Sequence, residues 1–130
     1  MPPLTKNQAL VLDALSHSGR PLSAYTLLDQ LRDQGFRAPL QVYRALAKLV
    51  ELGLVHKLES INSFVACAHP HQHRHGLVAF AICDRCAQTS EFSDDAIEEH
   101  LRNWAAANHF QLTQTIIEMR GVCANCLAEG

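Results

Sequence analysis

Cys83-Asp84-Arg85-Cys86 is answered near the other end of the chain by Cys123-Ala124-Asn125-Cys126. Each C-x-x-C pair brings two thiols within reach of one ion, and two pairs make the four-thiolate set that suits tetrahedral Zn²⁺. The interval between them, Ala87 to Val122, is 36 residues long. A small zinc finger leaves less, so one ion would join distant parts of a larger domain. The competing reading is two unrelated turn cysteine pairs, one of them a redox motif. A lone C-x-x-C would leave these readings level; the second pair favours zinc.

Outward from the thiols, Leu77–Cys83 is an apolar run that reads as a strand leading into the first pair. A last strand over Leu112–Met119 delivers Gly121 and the second pair. Between them Ser93 offers an N-cap, and Asp94 and Asp95 in the first turn oppose the helix dipole. Ile97, Leu101, Trp104, Ala105 and Asn108 trace the inner face of that helix, with Trp104 expected in the core. The picture is an α/β unit whose strand ends are joined by zinc, with edge strands open to a second copy.

The first half reads differently. Residues 6–17 form a helical pattern with Gln8, Val11, Leu12 and Leu15 on one side, ended by Gly19-Arg20-Pro21. Ser23 caps a second helix carrying Ala24, Leu27, Leu28 and Leu31. A third is expected from about Pro39 to Leu52, burying Val42, Ala45, Leu46 and Leu49. Its opposite face holds Gln41, Arg44, Lys48 and Glu51, with Tyr43 at the margin. Two short extended runs follow, Leu54–Leu58 and Ser63–Cys67, around the turn Glu59-Ser60-Ile61-Asn62. Three helices and a hairpin are the layout of a winged helix-turn-helix, whose last helix enters the DNA major groove. Arg can bond guanine at two points and Gln can do so to adenine. Periodicity alone leaves a merely solvated helix face equally open.

Composition bounds the class. The chain has 130 residues, 48% of them hydrophobic, enough for a buried core and within reach of one domain or two small ones. Met1-Pro2-Pro3-Leu4-Thr5-Lys6 contains no apolar run, so neither a signal peptide nor a membrane span is expected. Cytosolic placement follows, where paired thiols bind metal more often than they oxidise. Net charge is −2 overall, +2 over residues 1–68 and −4 over residues 69–130. The seam is His69-Pro70-His71-Gln72-His73-Arg74-His75-Gly76. The expected division is therefore a helical-and-wing domain over 1–68, a histidine-rich hinge over 69–76 and a zinc-stabilised domain over 77–130. If the tract is extended, alternate histidines share one face with roots roughly 6–7 Å apart, and one ion reaches only one or two of them.

Taken together, Val42-Tyr43-Arg44-Ala45-Leu46, Leu54-Val55-His56-Lys57-Leu58-Glu59-Ser60, Asn62-Ser63-Phe64-Val65-Ala66-Cys67 and the two thiol pairs resemble the ferric uptake regulator superfamily, and most closely its zinc uptake regulator branch. The likeness runs in one order over almost the whole length. It implies an α+β fold: an N-terminal winged helix-turn-helix and a C-terminal α/β dimerisation domain with a structural zinc on Cys83, Cys86, Cys123 and Cys126. It further implies a homodimer that binds double-stranded DNA at palindromic operators, two Zn²⁺ per subunit, and no enzymatic activity, small-molecule substrate or membrane. The second, regulatory zinc falls by resemblance on His56, Cys67, His75 and Glu91, which accounts for Cys67, the cysteine left over from the two pairs. Implied DNA contacts are Tyr25 and Arg44, with Gln41 and Tyr43 as neighbours; Gln41 stands where many members carry a smaller hydroxyl residue. The step from the histidine tract to Cys83 is one residue longer than the branch pattern, so His71 or His73 can replace His75. His109 is a candidate for a third site, read more simply as a surface histidine. The alternatives are an iron- or peroxide-sensing member, which Cys67 disfavours because such sites prefer nitrogen and oxygen; a zinc hydrolase, for which the four-ligand second site leaves no open position; and a thiol–disulfide oxidoreductase.

Overall fold

The computed structural model describes residues 3–68 and 76–129. The chain divides into two compact units, Met1–Pro70 and His71–Gly130.

In the first unit, α1 (Lys6–Ser18), α2 (Ala24–Leu31) and α3 (Pro39–Glu51) precede the strands β1 (Val55–Leu58) and β2 (Ser63–Ala66). Helix starts follow their caps: the Ser23 hydroxyl accepts the Thr26 N–H at 3.1 Å, and Pro39 opens α3 with its ring already at helical φ. Val11, Leu15, Leu27, Phe36, Val42, Leu46, Leu49 and Val55 are buried in one apolar cluster. The expected stripes of α2 and α3 are buried in full. From the first stripe Val11 and Leu15 are buried, whereas Gln8 is drawn into the helix cap, its Oε1 accepting the Thr5 N–H at 3.0 Å.

β1 and β2 pair antiparallel, with His56 opposite Val65 and Leu58 opposite Ser63. The turn between them closes at Asn62 in the left-handed region (φ 47°). Leu22 and Phe64 exchange backbone hydrogen bonds of 3.0 and 2.8 Å, which fasten the wing to the approach of α2. Three helices backed by this hairpin form a winged helix-turn-helix.

The second unit holds a three-stranded sheet in the order β4-β3-β5. β3 (Leu77–Cys83) lies at its centre, antiparallel to β4 (Thr89–Phe92) and parallel to β5 (Thr115–Gly121), with α4 (Asp95–Ala107) as the crossover and the short α5 (Ala124–Ala128) at the end. The whole molecule is therefore α+β.

Several expectations need correction. β5 starts at Thr115 and reaches Gly121, beyond Leu112–Met119, because its length is set by its partner: Leu77 pairs with Thr115 and Cys83 with Gly121. Gly76 makes that start possible. It sits at φ 73°, where a Cβ would also meet the Thr113 carbonyl at 3.3 Å. The N-cap of α4 is Asp94, not Ser93; one carboxylate oxygen accepts the N–H groups of Ala96 (2.9 Å) and Ile97 (3.1 Å), and a charged acceptor makes the stronger cap. Trp104 is not a core residue. It is 60% exposed, with Ile97 and Leu101 also exposed, while the helix buries Glu98 and Ala105. β4 and α5 were not expected at all.

Candidate metal centre and nucleic-acid face

Parallel pairing of β3 with β5 sets Cys83 opposite Gly121, so the turns that leave the two strands lie side by side, each carrying a thiol pair. The Asp84 N–H bonds the Gly121 carbonyl at 2.7 Å and locks the turns together. All four sulfurs then lie within 4.8 Å of one another. Cys83 and Cys126 are 3.7 Å apart, as are Cys86 and Cys123. A tetrahedron with Zn–S bonds of about 2.3 Å has sulfur–sulfur edges of about 3.8 Å. Those two edges match that ion, and Cys83, Cys86, Cys123 and Cys126 form no disulfide.

Electrostatics in the cage is uneven. Three backbone N–H groups converge on the Cys83 sulfur: Cys123 at 3.3 Å, Arg85 at 3.4 Å and Cys86 at 3.5 Å. The Cys123 and Cys86 amides draw the Cys83 thiol down from 9.0 to about 6 against the opposing effect of burial. Cys126 goes the other way, pushed up to about 12 by its hydrogen bond with Cys123 and by burial. Four clustered sulfurs cannot all be charged unless a cation joins them, and a dication reverses that balance.

Two residues inside the first motif have work that the spacing did not disclose. The Arg85 guanidinium donates to the Cys126 carbonyl at 3.2 Å, and the Arg120 guanidinium donates to the Asp84 carboxylate at 2.8 Å. Opposite charges at 84, 85 and 120 were the available signal, but which pairs form depends on the β3/β5 register.

On the wing, His56 faces across to Val65, and Cys67 lies two residues further along the same side of the partner strand. Such a diagonal pair shares a sheet face. A His56 ring nitrogen and the Cys67 sulfur are within 4.8 Å, and the Cys67 N–H extends the pairing to the Leu54 carbonyl at 2.8 Å. Glu91 is part-buried on β4 of the second unit, opposite Phe80. His75, with the alternatives His71 and His73, lies outside the described residues. His109 is exposed just after α4 in the left-handed region (φ 55°), and among the described residues it joins no group of three or more metal-ligating side chains.

The surface of α3 carries Tyr43 and Arg44 outward, and Tyr25 stands 62% exposed in the first turn of α2. These three side chains offer hydroxyl and guanidinium groups to solvent. Gln41 differs: its Oε1 accepts the N–H groups of Arg37 at 2.6 Å and Ala38 at 3.1 Å, at the head of its own helix. Among the described residues no helix is long and apolar enough to cross a membrane.

Comparison with known proteins places this arrangement. The zinc uptake regulation protein of Escherichia coli (strain K12) is 42% identical over 125 residues, covering 95% of this chain and 72% of that protein. Among solved structures, a zinc uptake regulator complexed with zinc and DNA superposes with a TM-score of 0.92 at 40% identity, over 98% of this chain and 85% of the other. The crystal structure of holo XcZur gives a TM-score of 0.86 at 45% identity, over 96% and 86%. The model of the ferric uptake regulator family matches residues 3–120. This chain is a member of the ferric uptake regulator family.

Proposed function

We propose that the protein is a zinc-responsive transcriptional repressor. It acts as a homodimer on double-stranded DNA with palindromic operators at zinc-uptake genes, through Tyr25, Tyr43 and Arg44 of the winged helix. Likeness to a zinc uptake regulator complexed with zinc and DNA supports this reading. Each subunit holds two zinc ions. Cys83, Cys86, Cys123 and Cys126 take a structural ion that keeps the second unit assembled, and the 3.7 Å sulfur spacings support that assignment. His56, Cys67, His75 and Glu91 take an exchangeable ion at the junction of residues 1–68 and 77–130. Bound, that ion holds the two recognition helices at the spacing of the two half-sites; without it only a fraction of molecules is competent.

One observation carries zinc over a harder metal: Cys67 and His56 share one face of the wing, within reach of one ion. A thiolate beside an imidazole favours zinc. Gel-shift titrations in zinc buffers, on the promoter of a candidate zinc importer, test the reading. Wild type should bind as free zinc rises, with a gain of roughly 5–150-fold for a coupling of about 1–3 kcal/mol. Cys67→Ser should fold and dimerise yet lose that gain. An unchanged zinc response in Cys67→Ser would refute the role assigned to this thiol.

A further inference from the structure

The first turn of a helix leaves N–H groups that an N-cap side-chain oxygen normally meets. At α3 the N-cap position is Ala38, in extended geometry (φ −139°, ψ 146°), which has no such oxygen. What the helix does supply is an acceptor for the two N–H groups just ahead of it. Gln41 reaches back and its Oε1 takes the N–H groups of both Arg37 and Ala38. Two N–H donors fix which amide atom points inward, since only the oxygen can accept them. α1 provides an internal comparison: there Thr5 and Gln8 each accept from the other's backbone N–H, at 3.2 and 3.0 Å respectively. That is the reciprocal capping box, of which α3 keeps only the glutamine half.

This commitment bears on recognition. A glutamine that reads adenine bonds it at two points, accepting from N6 with its oxygen and donating to N7 with its NH₂. In α3 the oxygen is already turned back onto two backbone donors. Reading adenine would break both bonds to gain one at the same atom. We infer that Gln41 is a positioning residue: it locks the Arg37–Ala38 approach to α3 and so fixes how Tyr43 and Arg44 meet the groove, without discriminating adenine. The inference rests on the DNA-binding reading of α3 and adds to it a division of labour within one helix.

The test uses the zinc-loaded full chain and a duplex enriched by the wild type from a random pool, with each base pair then substituted in turn. Gln41→Ala should weaken binding by roughly threefold to tenfold, the scale of a lost cap, in parallel across the panel. Without DNA, amide exchange at Arg37 and Ala38 should quicken in Gln41→Ala and stay slow in Gln41→Glu, which keeps the acceptor. A loss seen on every duplex that keeps one particular A·T pair, and absent where that pair is altered, would overturn the inference and make Gln41 an adenine reader. Unaltered exchange at Arg37 and Ala38, with wild-type binding intact, would overturn it alone; failure of the wild type to enrich any duplex would remove the DNA-binding reading and this inference with it.

Discussion

Cys83 and Cys126, in contact at 3.7 Å, are pulled to opposite ends of the thiol range. The cause is local: three amides surround one sulfur, while the other meets neighbouring sulfurs and burial. The consequence for stability has a definite sign once zinc is stripped by a chelator. Cys83 has a folded value near 6 against 9.0 in the open chain, so between those pH values the unfolded state binds more protons and stability rises with pH. Cys126 has a folded value near 12 against 9.0, so above 9 the folded state holds the extra proton and stability falls. Chelator-treated protein should therefore resist urea best near pH 9, and less at both pH 7 and pH 11. Midpoints that fall steadily from pH 7 to pH 11 would show that Cys83 is not the depressed thiol. With zinc bound the alkaline arm should vanish, because the ion keeps all four sulfurs deprotonated.

Among the elements, α4 shows where sequence stops informing. Its apolar residues were legible as a stripe, and so were those of α2 and α3. In α2 and α3 the stripe is covered by neighbours in the same unit, because all three helices share one core. In α4 the buried positions are Glu98, paired with Arg102 at 2.8 Å, and Ala105, while Ile97, Leu101 and Trp104 lie on the adjoining exposed strip. A period of 3.6 reveals a face but not what covers it. The thiol cage was readable for a contrasting reason: four ligands at fixed spacing specify their own geometry, whereas the Asp84–Arg120 bond needed a register no motif encodes. β4, four residues with one polar side exposed, and the five-residue α5 are too short for periodicity to register. The uncovered strip of α4 is apolar enough to be the face a second copy covers, with Phe110 set against Trp104 at 6.0 Å between ring centroids. If the protein forms the homodimer proposed above, Leu101→Asp should weaken it about a hundredfold or more, the scale of a charged group forced into an interface centre. Sedimentation velocity should then find monomers whose far-UV circular dichroism is unchanged. Wild-type sedimentation in Leu101→Asp would exclude this strip from the interface.

At the scale of the whole molecule, the two units rest on unequal foundations. The first buries side chains from all three helices and both wing strands in one cluster, and no metal is needed to explain its cohesion. The second, His71–Gly130, buries chiefly the central strand β3 and draws little more than Glu98 and Ala105 from α4. Its last element, five residues long, is too short to be a stable helix alone, and the thiol cage, with the Arg85 bond to the Cys126 carbonyl, ties it to the end of β3. Domains of this size commonly need such a staple, and structural zinc supplies folding energy directly. Hydrogen exchange at pH 7 should resolve the difference. After treatment with a strong chelator, amides of β3, β5 and α5 should exchange at least about tenfold faster as local opening becomes cheaper, while amides of α1, α2 and α3 keep their protection. Cys83→Ser should reproduce that pattern without chelator, and Cys67→Ser should not, because its thiol lies on the wing. Equal loosening of both units by chelation would mean that the four-sulfur cage supports the whole chain and not the second unit alone.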